Sequence, residues 1–306
     1  MRKAFAQTLT RLAEEDPRVV FITGDLGFQV LDELRDRFPE RYINVGVAEA
    51  EMVSLAAGMA AEGFRPVAYS IASFATARPY EQIRYCVAYH NVPVLLIGAG
   101  RGYLYSTSGV SHHAADDLAL MSVLPNMTVV APGDPVEISA LLPELLRSGR
   151  PAYMSVGKYG EPVFAAEEAP QLGRARRIRS GEKIAVLSTG ELATELVKAL
   201  DLLVSEGISP VAYQFHTLKP LDGNVLEKLG KEMQTIIVAE EHVPLGGLWS
   251  QVCCFMAEHG LTPRLRRAGA PDRFALGNLR LADLRRSLGI DAGGLAEICR
   301  AAWREA

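Results

Sequence analysis

Two side chains, Glu49 and His112, sit where their chemistry would be useful. Glu49 opens a small-residue helical stretch that ends around Glu62. At a period of 3.6 it shares a stripe with Met52, Val53, Ala56, Ala57 and Ala60, all apolar. Glu51 falls on a mixed stripe with Ser54, Leu55, Gly58 and Glu62, which suits water. A carboxylate on the apolar stripe is costly unless something hydrogen-bonds it, and the neighbouring sequence supplies no partner. One reading is a buried acid that shares its proton with a ligand. The other is a first-turn acid that complements the helix dipole. His112 follows Ser111 and precedes Asp116 and Asp117. It reads either as the end of a loop facing a pocket or as a capping or core histidine. The string Gly98-Ala99-Gly100-Arg101-Gly102 follows a strand-like run but lacks the third spaced glycine of a dinucleotide site. It is read as a flexible active-site loop.

The elements that must position these groups alternate along the chain. Val19–Thr23, Pro66–Tyr69, Val94–Ile97 and Thr128–Ala131 are short, β-branched apolar runs. Helical patterns cover residues 3–15, 49–62, 78–90, 115–123 and 134–147. Continuous apolar strands between helices predict a mostly parallel sheet covered on both faces. Residues 157–181 interrupt this rhythm with glycine, proline, paired acids and the basic run Arg174-Ala175-Arg176-Arg177, read as a surface linker. Strand-like runs Ile184–Ser188, Val211–Gln214 and Thr235–Ala239 then begin again, with a helix to about residue 205. The prediction is α/β, two doubly wound domains: residues 1–165, a linker over 166–182, and a smaller domain over 183–306. Ligands of such sheets bind at the carboxyl ends of the strands.

The totals narrow the function classes. The 306 residues suit two domains. With 49% apolar and 22% charged residues, the composition is that of a globular protein. A net charge of −4 with scattered Lys and Arg argues against a nucleic-acid footprint. No apolar run approaches the length of a bilayer span, and the amphipathic start does not read as a signal peptide, so the chain is read as cytoplasmic. Cys86, Cys253, Cys254 and Cys299 lack metal or redox spacing, and no metal ligands are assigned. The adjacent pair Cys253-Cys254 is read as reduced core.

A series of strings, in order along nearly the whole chain, resembles the C-terminal section of transketolase. Arg2-Lys3-Ala4 and Gly24-Asp25-Leu26 come first, then Gly46-Val47-Ala48-Glu49, similar to the family's Gly-Val/Ile-x-Glu motif. Ser73-Phe74-Ala75-Thr76-Ala77-Arg78 with Glu81-Gln82-Ile83-Arg84 resembles the aromatic segment and helix that follow. Ser108-Gly109-Val110-Ser111-His112 stands where the family has Asp-Gly-x-Ser/Thr-His, and Pro125-Asn126-Met127 matches its Pro-Asn-Met. His216-Thr217-Leu218-Lys219-Pro220-Leu221-Asp222 and Glu240-Glu241-His242 with Gly246-Gly247 are similar to strings of the family's C-terminal domain.

The resemblance implies a pyrimidine-binding domain followed by a transketolase C-terminal domain. In such proteins the motif glutamate hydrogen-bonds the aminopyrimidine of thiamine diphosphate and so activates the cofactor. Glu49 would take that role and Phe74 would stack on the pyrimidine. Ile71 and Asp25 are expected at the same cofactor site, and His112 is expected to act in catalysis. The diphosphate and Mg²⁺ are held in the family by a Gly-Asp-Gly…Asn motif, and no Gly-Asp-Gly occurs here. A separate diphosphate-binding subunit is therefore expected, in an α2β2 heterotetramer, with Mg²⁺ held by that partner. The implied activity is transfer of a two-carbon ketol, or related acyl, unit between carbonyl substrates.

Departures from the family pattern fall on the substrate side. Ser108 stands where transketolase has an aspartate, so a charge-assisted contact is lost. The family's phosphate-binding His and Arg fall near Gly100 and Lys158. Arg101 sits where deoxyxylulose-phosphate synthases carry a substrate-binding Arg, and His113 replaces a usual Gln. Arg101, Ser108, His113, Arg2 and Lys158 are the expected substrate contacts, with fraying at the extreme N-terminus as the competing reading for Arg2. A non-standard ketose, a nucleotide-linked sugar or a 2-oxoacid is the expected donor. The enzyme alternatives are the beta subunit of a 2-oxoacid dehydrogenase and an acyloin-forming synthase. The non-enzyme alternative is a regulatory partner of a transketolase.

Overall fold

The computed structural model describes residues 1–306. Twelve strands make two sheets. The first domain supplies β1 (Val19–Thr23), β2 (Tyr42–Asn44), β3 (Arg65–Ile71), β4 (Leu95–Ala99), β5 (Thr128–Val130) and β6 (Ala152–Val156). The rest of the chain supplies β7 (Arg176–Arg179), β8 (Ile184–Ser188), β9 (Val211–Gln214), β10 (Thr217–Lys219), β11 (Thr235–Glu240) and β12 (Arg264–Gly269). The seven-stranded sheet has the order β10-β5-β6-β4-β3-β1-β2 and the five-stranded sheet β12-β11-β8-β9-β7. Both are parallel except at one edge, where β10 and β7 run antiparallel to β5 and β9.

Alternation along β1 shows how the apolar runs are used. Val19 and Phe21 face a core shared with the helices Arg2–Glu15 and Pro135–Arg147. Val20 and Ile22 face the other side, where Met52, Val53 and Ala56 of the helix Glu49–Ala61 pack. That second core does not stop at the domain border. It continues through Ala185, Leu187, Tyr213, Ile236 and Val238, so the two sheets share one apolar body. A third core, around Ile184, Val186, Leu196, Leu200, Leu295 and Cys299, covers the far face of the second sheet.

Several expectations change. The basic run at Arg174–Arg177 is not a surface linker: Arg176 begins edge strand β7, and its buried guanidinium lies 3.2 Å from both Asp134 and Glu137. Strand β10 leaves the second domain to extend the first sheet, within the segment assigned to residues 183–306. The predicted helix over 78–90 is a short turn, Tyr80–Gln82, followed by a wider π-helical segment, Ile83–Tyr89. Cys254 is exposed and Cys253 half-buried, so that pair is not core. The start of the chain is not frayed. The Met1 ammonium group is buried and pairs with Glu161 at 3.0 Å. No helix is long and apolar enough to cross a membrane.

Candidate active site

The loops that follow β1, β2, β3, β4 and β6 gather at the carboxyl edge of the first sheet. After β1, Asp25 takes a left-handed backbone (φ 62°) and is clamped to β2 by Asn44. The Asn44 amide donates to the Asp25 carboxylate at 2.9 Å, while the Asp25 N–H donates back to Asn44 at 3.0 Å. After β2, Glu49 enters its helix only 3% exposed, facing the core as its stripe requires. Glu51 is exposed.

Glu49 does have partners, and they come from β3 and the helix after it. Ser70, at the end of β3, donates to Oε1 at 3.0 Å. Arg78 donates to Oε1 and Oε2 at 3.1 and 2.9 Å. The same guanidinium lies 3.8 Å over the centre of the Phe74 ring. Phe74 in turn meets the edge of His112, with ring centres 4.9 Å apart. Ile71, 8% exposed, precedes this helix (Ala72–Ala77).

His112 shares a hydrogen bond between Nδ1 and Ser111 Oγ at 3.0 Å. Burial and the nearby positive charges of Lys158 and Arg78 push its pKa below the ordinary value of 6.5, so the ring is neutral at neutral pH. Tyr105 lies on its other side, with ring centres 5.7 Å apart. The Lys158 ammonium sits 3.8 Å over the Tyr105 ring, and Arg2 lies close enough to Tyr105 and Tyr69 to oppose the rise that burial causes in their pKa values. Gly100, with φ 73°, has no Cβ because the Tyr105 ring occupies that space. Glu49, Arg78, Phe74, His112, Tyr105 and Lys158 thus form one continuous run of contacts, with the Arg2 charge near its Tyr105 end. His113 stands edge-on to Tyr103 at 5.1 Å, and Ser108 is exposed at the end of the turn Ser106–Ser108.

Beside Phe74 and Arg78 opens a cavity of about 860 Å³, walled by both domains. Ser73, Ser111 and His113 contribute from the first domain, and Val243, Arg273 and Phe274 from the second. The domain models that match are the transketolase pyrimidine-binding domain over residues 1–159 and the transketolase C-terminal domain over residues 173–294. This chain belongs to the transketolase family. It is 30% identical to a "putative transketolase C-terminal section" of Methanocaldococcus jannaschii, over 97% of this chain and 94% of that protein. It is 34% identical to the 1-deoxy-D-xylulose-5-phosphate synthase of Aquifex aeolicus, over 98% of this chain but 48% of the synthase. The chain therefore spans about half the length of the synthases it matches. Among solved structures, one described as a split-gene transketolase, an inactive β4 tetramer, superposes with a TM-score of 0.89 at 29% identity. That match covers 98% of this chain and 97% of the other.

One expected substrate contact is corrected. In this transketolase-family chain Arg101 is 0% exposed, shut off from the surface. The turn after β4 sends it between the domains, 3.9 Å from Asp117 and 3.7 Å from Glu191. Gly190 leaves room for the guanidinium, where a Cβ would collide with it. Next to it Glu241 accepts from the Tyr103 N–H and from Arg285, both at 2.6 Å. Burial raises the Glu191 carboxyl and Arg101 opposes the rise, the balance leaving it at about 7. The groups that sequence reasoning missed are Ser70 and Arg78. Arg78 was findable, because Phe74 and Arg78 stand four apart on a helix, the spacing at which side chains meet.

Proposed function

We propose that this chain is the pyrimidine-binding and C-terminal subunit of a two-chain, thiamine diphosphate-dependent transferase. The reaction is transfer of a two-carbon ketol, or related acyl, unit between carbonyl substrates. The observation that carries this reading is Glu49: a nearly fully buried carboxylate beside an aromatic ring, already engaged by a flat, stacked hydrogen-bond donor. An aminopyrimidine edge presents the same shape and the same demand, so the residues fit that half of the cofactor. Glu49 would hold a hydrogen bond at the pyrimidine ring nitrogen, Phe74 would offer its face, and Ile71 would back the pocket. Asp25 would stay a clamp of the surrounding loops, through its bonds to Asn44. When bound, thiamine diphosphate supplies a centre that stabilises carbanion character during carbon–carbon cleavage and formation.

The neutral His112 is suited to take or give a proton at a substrate hydroxyl. Arg2 and Lys158, flanking Tyr105, would take an anionic substituent. Ser108 and His113 would line the approach. For the diphosphate and Mg²⁺ this chain offers neither a Gly-Asp-Gly motif nor a group of three or more His, Cys, Asp or Glu side chains placed around a metal. We assign those to a separate diphosphate-binding subunit, in an α2β2 assembly. The likeness to a split-gene transketolase over nearly both full lengths supports this division.

The test mixes the purified chain with a subunit carrying Gly-Asp-Gly…Asn, thiamine diphosphate and Mg²⁺, and screens ketose and 2-oxoacid donors. Glu49→Gln and Glu49→Ala are expected to lower kcat by about a hundredfold or more, the lower bound of what one proton-transfer group contributes. Wild-type turnover in both variants would refute the assignment.

A further inference from the structure

Arg78 meets both demands that a pyrimidine would place on this pocket. Its guanidinium is planar and lies 3.8 Å over the Phe74 ring, the separation of a stacked pair. Its Nη1 reaches both oxygens of Glu49, at 3.1 and 2.9 Å. A ring stacked on Phe74 and bonded to Glu49 cannot share that space with the guanidinium. We propose that Arg78 is an internal stand-in for the cofactor pyrimidine, which fills the seat until the cofactor displaces it. The proposal rests on the functional reading above and adds regulation of the same site.

The burial of the two partners fits a plug better than a permanent brace. The Glu49 side chain is 3% exposed, whereas that of Arg78 is 46% exposed. The carboxylate cannot go unpartnered at that depth, but the arginine can leave for water at little cost. Ser70 stays behind as a donor to Oε1, so Glu49 keeps one bond throughout the exchange. Arg78 also has somewhere to go. It lines the 860 Å³ cavity together with Phe74, Ser111 and His113, and a rotation about its own side chain carries the guanidinium into that space. Its backbone sits at the end of the helix Ala72–Ala77, immediately before Pro79, so the exchange needs no movement of the helix. A seat held closed for most of the time lowers the apparent affinity for its ligand by the fraction of time it is open.

The experiment measures thiamine diphosphate binding to the two-subunit complex in the presence of Mg²⁺, by calorimetry, for wild type, Arg78→Ala and Arg78→Lys. The Ala variant should bind at least about fivefold tighter. The Lys variant, which pairs with Glu49 but cannot stack as a plane, should fall between. Thermal unfolding of the full chain alone gives a second readout. Arg78→Ala should lower its midpoint by leaving Glu49 uncompensated, and adding Glu49→Gln should restore it. Affinity in Arg78→Ala that is unchanged within twofold, or weaker, overturns the stand-in, the latter making Arg78 a residue that holds the cofactor. Failure of the wild-type complex to bind thiamine diphosphate would instead overturn the functional reading.

Discussion

Replacing Arg101 by methionine separates a structural role from a substrate contact. The guanidinium is 0% exposed, and the carboxylates 3.9 and 3.7 Å away, on Asp117 and Glu191, are 0% and 4% exposed. Glu191 belongs to the second domain, and so does Glu241, which also feels the Arg101 charge. Methionine keeps much of the volume but removes the charge shared by three buried acids. Removing one partner of a buried ion pair costs about 3–5 kcal/mol. Against a typical domain stability of about 5–15 kcal/mol that is a large fraction, and at about 2–4 °C per kcal/mol it lowers the melting midpoint by roughly 10 °C.

The cost also has a pH signature. The Glu191 carboxyl is already held up at about 7 against 4.5 for an unperturbed group. A raised acid binds its proton more tightly in the folded state, so its contribution is full below 4.5 and is lost as pH rises through about 7. Without Arg101 the Glu191 carboxyl rises further, so the deficit should be larger at pH 8 than at pH 6. Urea unfolding followed by circular dichroism at both pH values measures this, alongside KM in the reconstituted complex. A loss under about 1 kcal/mol combined with a selective rise in KM would refute the argument and return Arg101 to the substrate.

Two further outcomes follow from buried groups. Arg176→Met should destabilise the chain by about 3 kcal/mol or more in denaturant titration, because it strands Asp134 and Glu137 together in the interior. Burial pushes His216 down to about 3, so its stabilising contribution is present above 6.5 and is lost as pH falls towards about 3. His216→Asn removes that titration and should make the acid limb of the stability profile shallower, as thermal unfolding between pH 6.5 and 4 would show.

Some of this molecule is legible in short stretches of sequence. The run Val19–Thr23 reads as a buried strand because four of its five side chains are apolar and the fifth is β-branched, which requires no knowledge of the neighbours. Glu49 announces itself in the same way: five apolar neighbours at helical spacing place it on an inward face. The strands β2 and β6 were harder to see. Tyr42–Asn44 has only three residues, and the polar Ser155 lies within the buried Ala152–Val156. The π-helical segment Ile83–Tyr89 carries the same residues an α-helix would, and its wider turns follow from packing.

By itself, then, the sequence determined the two α/β domains, the carboxyl-edge loops and an inward-facing glutamate. Those depend on periodicity and on residue types within a few turns of one another. Only the tertiary structure decided what each charge meets. Glu49 and Arg78 are 29 residues apart, Asp134 and Arg176 are 42 apart, and Arg101 faces Glu191 across the domain boundary. An arginine has the same sequence signature whether it reaches for a substrate, closes a cofactor seat or neutralises a buried carboxylate. The physical difference is the dielectric around it and the acid beside it, and long-range packing sets both.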